Sequence, residues 1–306
     1  MNTILILGGS GFIGANLSEY FSQKDIKIIN FSRSPTKIKH ENIINVCGDC
    51  KDITALNSIF ETYKIDVVIH SLTSFTVMDT IDSCQGLLST NLSAFIDLVN
   101  LAKKHNVNKL VYISSGGAIY GIADAPIKET HEISPVSFYG WMKEACERYL
   151  EFAARLEPKF NYLILRPANV YGKYQKIERI IGVALFNAIQ GNPMNIYGDI
   201  HTQKDYIHID DFCEITEKLI KSSKWNEVYN IGSGVGTSTK DILKYAQLIV
   251  GKSLSIKYFD QKTGDVSYNI LDIDKMKNDI NKYEFISVET GMRDMYDYVC
   301  KITHSD

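Results

Sequence analysis

Six short stretches in the first 170 residues are dominated by Ile, Val and Leu: TILILGG (3–9), IKIINFS (26–32), IINVCGD (43–49), IDVVIHS (65–71), KLVYISS (109–115) and NYLILRP (161–167). A strand with one wet face alternates polar and apolar residues. These runs do not, so both of their faces must be covered, which a parallel sheet with helices on each side provides. The intervening segments GANLSEYFSQ, ITALNSIFETY, CQGLLSTNLSAFIDLVNLAKKH and GWMKEACERYLEFAARL carry the helical period. Strands alternating with helices require right-handed crossovers, and the expected fold is α/β with a doubly wound parallel sheet.

Beyond residue 170 the alternation weakens. GDIHTQKDYIHIDDF and VYNIGSGVGTSTKDI read as loops and short strands feeding helices, the stretch from 251 as irregular, and VETGMRDMYDYV as a closing helix. The organisation expected is a first domain at 1–170 with a return segment at 205–232. A second, smaller α/β domain would be built from 171–204 and 233–306. No repeat, low-complexity stretch or flexible linker intervenes.

The chain has 306 residues, 45% hydrophobic and 23% charged, with a formal net charge of −3. That balance supports a sizeable core, and it gives no basic surface for nucleic acid. No apolar run approaches a membrane span, and MNTILILGG lacks the basic start of a secretory signal. Six scattered cysteines do not form a disulfide framework, and the lone Cys47-x-x-Cys50 has neither a second pair nor a histidine cluster for metal. The expectation is a cytoplasmic protein without a metal site.

LILGGSGFIG sets Gly8, Gly11 and Gly14 immediately after the first strand and into the first helix. Such a loop must turn tightly and let its backbone approach a pyrophosphate, and lack of a Cβ serves both demands. Backbone N–H groups at the helix start, from Phe12, Ile13 and Gly14, would face the phosphates. The reading is a Rossmann dinucleotide site for NAD or NADP. At the end of the second strand stand Ser32 and Arg33 rather than a carboxylate, which leans toward the 2′-phosphate of NADP. Asp49 and Cys50, after the third strand, are placed for the adenine.

FYGWMKEACERYL puts Tyr139 and Lys143 one helical turn apart on one face. A phenol ionises near pH ~10, and an adjacent ammonium favours the phenolate, so the pair suits general-base work. Together with GGSGFIG, GDCKD, DVVIHSLT, STNLSAFIDLVN, VYISSGGAIYG, LRPANVYG, DYIHIDDF, YNIGSG and TGDV, this pair makes the chain resemble the extended short-chain dehydrogenase/reductases, in particular the nucleotide-sugar epimerase/dehydratase group. The resemblance runs almost end to end.

The resemblance implies Tyr139 as base, Lys143 as holder of the nicotinamide ribose, and a serine or threonine donor to the reacting oxygen. Counting from the strand selects Ser115, with Ser114 as the alternative; the loop then carries one extra residue, which Gly116 and Gly117 would absorb through backbone angles closed to other residues. Asn91 is implied in the helix packed on the sheet. A nucleoside diphosphate is implied at Asn169, Lys204, Lys262 and Asp265, with Tyr197 beside its base. Lys204 and Lys262 stand where arginine is usual in the family. Gly116, Gly117 and Ala118 supply no acid where sugar dehydratases of the family carry one, which leaves hydride chemistry on a secondary alcohol or ketone. The expected activity is 4-epimerisation of a nucleotide sugar, with 4-ketoreductase or 4-dehydrogenase as the alternative. A homodimer through the helices at about 84–105 and 139–156 is a family expectation.

Overall fold

The fold is described from a computed structural model covering residues 1–73, 84–123, 126–260, 268–282 and 284–303. The chain divides into two compact units. The first comprises Met1–Gly121, Glu132–Arg166 and Thr216–Tyr229; the second comprises Ile122–His131, Pro167–Ile215 and Asn230–Asp306.

A seven-stranded sheet organises the first unit. Its strands are β1 (Thr3–Leu7), β2 (Lys27–Ser32), β3 (Ile43–Cys47), β4 (Val67–His70), β5 (Lys109–Ile113), β6 (Asn161–Pro167) and β10 (Glu227–Ile231), in the order β10-β6-β5-β4-β1-β2-β3. From β6 to β3 every neighbouring pair is parallel, with Leu5 opposite Ile29 on one side and Val68 on the other. The six apolar stretches are these strands. β1 and β4 are buried almost throughout, as runs without alternation require.

Helices α1 (Phe12–Ser22), α2 (Ile53–Thr62), α4 (Ala94–Lys104) and α6 (Phe138–Leu156) supply the crossovers. One layer of the core joins Leu56 and Phe60 of α2, Phe95 and Leu98 of α4, and Cys146 and Leu150 of α6 to Leu5, Val68, Leu110 and Tyr112 of the sheet. The long helix expected near 84–105 is broken into α3 (Cys84–Leu88), a π turn at Ser89–Ser93, and α4. The strand order reverses between β1 and β4, and a crevice at the carboxyl ends of such a pair is where open α/β sheets bind ligands.

The second unit holds a four-stranded sheet. In it β9 (Gln203–His208) pairs with β7 (Asn169–Tyr171), β11 (Gly236–Ser238) and β13 (Tyr268–Asn269). The stretch expected to be irregular contains β12 (Ile256–Phe259), which pairs in parallel with β8 (Met194–Tyr197). Helices α7 (Ile180–Gln190), α9 (Thr239–Val250) and α11 (Val288–Thr303) close a core around Leu185, Tyr206, Ala246 and Met292. Among the described residues no helix is long and apolar enough to cross a membrane.

Candidate active site

The glycine loop occupies the reversal point of the sheet. Gly8 has φ +85°, a left-handed conformation that side chains disfavour, and a Cβ there would come within 3.0 Å of the Leu72 backbone beyond β4. A Cβ on Gly14 would overlap the Gly8 carbonyl oxygen and press on Ser71 Oγ. Gly11 N–H donates to Gly8 O at 2.9 Å, closing the turn. Gly11 caps α1 with no side-chain hydrogen bond, and no acidic residue occupies the first turn. The opening amides of an eleven-residue helix are therefore offered to an anion with no carboxylate competing. The residues fit a dinucleotide pyrophosphate.

At the end of β2, Ser32 is buried and its hydroxyl donates to Ser34 O at 2.7 Å, while Arg33 is exposed. Asp49 accepts from Lys51 N–H at 2.9 Å, so one carboxylate oxygen already shapes the turn. Cys50 is buried and its thiol donates to Thr90 O at 3.4 Å, beside Asn91. Burial, then the Asp49 carboxylate, pushes that thiol up to about 11, so it is a packed group rather than a nucleophile. Asn91 sits in the π turn, buried, and donates back to Leu87 O at 2.9 Å. Such turns recur at functional sites.

Helix α6 begins at a good cap: Ser137 Oγ accepts from Gly140 N–H at 3.1 Å. Tyr139 lies half-buried in that first turn, and Lys143 follows one turn later, 5% exposed. Lys143 Nζ donates to Ile113 O at 2.8 Å and stands 5.7 Å from the Tyr139 ring centroid. The ammonium is thus pinned to the end of β5 beside the phenol. It borders a small recess with His70, Thr73, Asn91, Tyr112, Met142 and Cys146. Burial, reinforced by the Lys143 ammonium, drives His70 down to about 3, so it is neutral; its Nδ1 meets no partner among the described residues.

After β5 come both serines. Ser114 is 3% exposed, and its Oγ has no partner among the described residues. Ser115 is half-buried in extended backbone and caps a single helical turn, α5 (Gly116–Ile119), without spending its hydroxyl on it. Here the structure corrects the sequence reading. Gly116 and Gly117 open a helix and neither takes a positive φ; the loop absorbs its length by winding one turn, not by backbone angles reserved for glycine. The glycines that matter are Gly121, at φ +70° against Ser134 O, and Gly140, where a Cβ would overlap Ala118 O. The backbone of the serine loop rests directly on the turn that carries Tyr139.

Sequence reasoning missed a buried network in the same place. Arg166 of β6 donates through Nη2 to Glu147 at 2.7 Å, through Nε to both of its carboxylate oxygens at 3.2 Å, and through Nη1 to Tyr120 Oη at 2.8 Å. The available signal was an arginine inside an otherwise apolar strand, with a glutamate one turn beyond Lys143.

In the second unit, Asn169 donates to Asp205 O at 2.9 Å, on the strand β9 that also carries Lys204. Asp205 is fully buried and accepts from Ser233 and Gly234 N–H and from Ser233 Oγ, bracing the loop after β10. Tyr197, 44% exposed, stacks on Phe259 with centroids 5.2 Å apart. Lys262 and Asp265 lie outside the described residues.

The model of the NAD dependent epimerase/dehydratase family matches residues 4–232. The chain belongs to that family. Its members are NAD-dependent enzymes, so of the NAD or NADP expected the match supports NAD. Over nearly its full length it is similar to the crystal structure of UDP-glucose 4-epimerase with UDP-glucose from Thermotoga maritima. That match has TM-score 0.92 and 29% identity, covering 98% of this chain and 99% of the other. It is 26% identical to UDP-glucuronate 4-epimerase of Thermodesulfobacterium geofontis, over 96% of this chain and 94% of that protein. It is also 26% identical to dTDP-4-dehydro-6-deoxyglucose reductase of Escherichia coli, over 95% of both.

Proposed function

We propose that this protein is an NAD-dependent nucleotide-sugar 4-epimerase, with a UDP-sugar as the first substrate to test. The observation that carries the reading is the Lys143 ammonium fixed to Ile113 O beside Tyr139, facing a serine loop that contains no acid. That arrangement supports proton and hydride exchange at one hydroxyl and offers nothing to expel water from the neighbouring carbon. The UDP-sugar epimerases among its relatives support the same substrate class.

Tyr139 takes the proton of the sugar 4-hydroxyl as the carbon is oxidised, and returns it when the carbon is reduced from the other face. Lys143 holds a positive charge beside the phenol without moving, because Ile113 O and the walls of the recess fix its ammonium. Ser115, or Ser114 in its place, donates a hydrogen bond to the reacting oxygen. The open amides at Phe12, Ile13 and Gly14 hold the pyrophosphate of the dinucleotide. NAD, when bound, would supply the hydride acceptor and donor for the two half-reactions. In the second unit Asn169 and Lys204 take the sugar-nucleotide diphosphate, joined by Lys262 and Asp265, with Tyr197 against the base. The cytoplasm and a homodimeric state complete the reading.

The experiment is turnover of UDP-glucose and UDP-galactose, followed by nucleotide-sugar chromatography with cofactor absorbance in parallel. Interconversion without net reduced cofactor is expected, and Tyr139→Phe should lower kcat by about 10²–10⁴-fold. Stoichiometric oxidation of NADPH by a 4-keto nucleotide sugar would replace the reading with the reductase one, which the E. coli relative and the Ser32-Arg33 pair favour.

A further inference from the structure

We propose that Tyr120, Glu147 and Arg166 form a positioning device for the proton-transfer step, setting the spacing between the serine loop and the helix that carries Tyr139. The inference rests on the assignment of Tyr139 as the base and extends it to three side chains that are each buried.

Three segments distant in sequence converge on one guanidinium. Tyr120 ends α5, five residues after Ser115, and is 1% exposed. Glu147 lies one turn beyond Lys143 on α6 and is 1% exposed. Arg166 lies near the end of β6, 3% exposed, next to the strand that leads into the serines. Its fork grips the Glu147 carboxylate in bidentate fashion while its remaining arm donates to Tyr120 Oη, and its charge lies 5.1 Å from the Tyr120 ring centroid. A planar fork fixes both partners in angle as well as distance, which a lysine could not do.

A buried ion pair is often no more stable than apolar residues of the same volume, so stability alone is a weak reason for placing one here. Geometry supplies a better reason. The serine loop is already tied at two points, to the Tyr139 turn by the close approach of Gly140 to Ala118 O and to the segment before α6 by Ser134 N–H donating to Ile119 O at 3.2 Å. Both ties engage backbone carbonyls of α5. The arginine network adds a third point, through the Tyr120 side chain at the end of α5. With three points of attachment α5 cannot rock against α6, and the serine hydroxyl keeps its place relative to the phenol.

The test is Tyr120→Phe, which removes one oxygen and leaves the ring under the guanidinium. The expected result is a fall in kcat of about ten-fold, from a displacement well under 1 Å. KM for the nucleotide sugar and the affinity for NAD should stay within about two-fold of wild type; the midpoint falls with the lost buried hydrogen bond whatever the role, so kcat read well below it decides. A role confined to stability would move the midpoint and leave kcat alone. Arg166→Met combined with Glu147→Leu is the second variant, because it replaces the pair by apolar groups and avoids stranding a buried charge. It should fold and show the same loss of kcat at unchanged KM. Wild-type kcat in either variant would overturn the inference. Tyr139→Phe, run alongside, separates the two claims: if it retains full activity, the assignment of the base fails. If it is inactive while Tyr120→Phe turns over normally, only the positioning device fails.

Discussion

Gly14 shows how narrowly a single position is specified. The carbonyl of Gly8 occupies the space a Cβ would need, with Ser71 Oγ and Gly8 C each 2.8 Å away. Overpacking of this kind costs about 1–3 kcal/mol, and here it falls on the turn proposed to meet the pyrophosphate. Gly14→Ala is therefore expected to weaken NAD binding about ten-fold or more, measured by isothermal titration. Gly86→Ala, where a Cβ meets open space in α3, should leave that affinity unchanged. The residues readable from sequence were those whose purpose is local. A glycine after a strand, or a lysine one turn from a tyrosine, announces itself within a few positions. Arg166 in its apolar strand and Glu147 one turn beyond Lys143 stand out singly, but nothing local joins them to Tyr120, because only the folded sheet brings 120, 147 and 166 to one point. The misreading of Gly116 and Gly117 has a related origin: an extra residue after a strand can be taken up by a bulge or by a helical turn, and the packing of α5 on Gly140 selects the turn.

At the level of elements, the first turn of α6 carries more than its share of the site. Ser137 caps it just as Asp52 caps α2, where the carboxylate accepts from Ala55 N–H at 2.9 Å. Loss of either cap should cost about 1 kcal/mol. Ser137→Ala and Asp52→Ala are thus expected to lower the thermal midpoint alike, yet only Ser137→Ala should lower kcat, since Tyr139 sits in the turn it holds. Equal kinetic effects would show that the cap matters for stability alone. The strands and helices of the sheet were legible because continuous apolar runs and helical periods each allow one solution. The π turn at Ser89–Ser93 was not: its composition suits an ordinary helix, and only the placement of Asn91 marks the difference.

For the molecule as a whole, acid is the expected weakness. His70 stays neutral down to about pH 3 when folded, whereas a histidine in the unfolded chain takes up its proton near 6.5. Its contribution is fully present above pH 6.5 and is lost as pH falls toward 3, at up to about 1.4 kcal/mol for each pH unit. Glu217 acts in the same direction at lower pH. Burial would raise its carboxyl, but hydrogen bonds from Lys221, Lys24 and Tyr20 outweigh that and bring it to about 2, so its contribution is lost between about 4.5 and 2. The thermal midpoint, followed by scanning fluorimetry across pH, should begin to fall below about 6.5, and His70→Phe should flatten the limb above about 4.5. The seventh strand has a consequence of another kind. β10 and Glu217 come from residues 216–231, whereas the β6 edge and the Tyr20 and Lys24 side chains they complete lie before residue 168. A nascent polypeptide emerging from the ribosome thus carries an unprotected β-edge while roughly sixty more amino acids are added, on the order of ten seconds at ordinary rates of synthesis. Chaperone capture during that interval would protect the half-made sheet from pairing with its neighbours on the polysome.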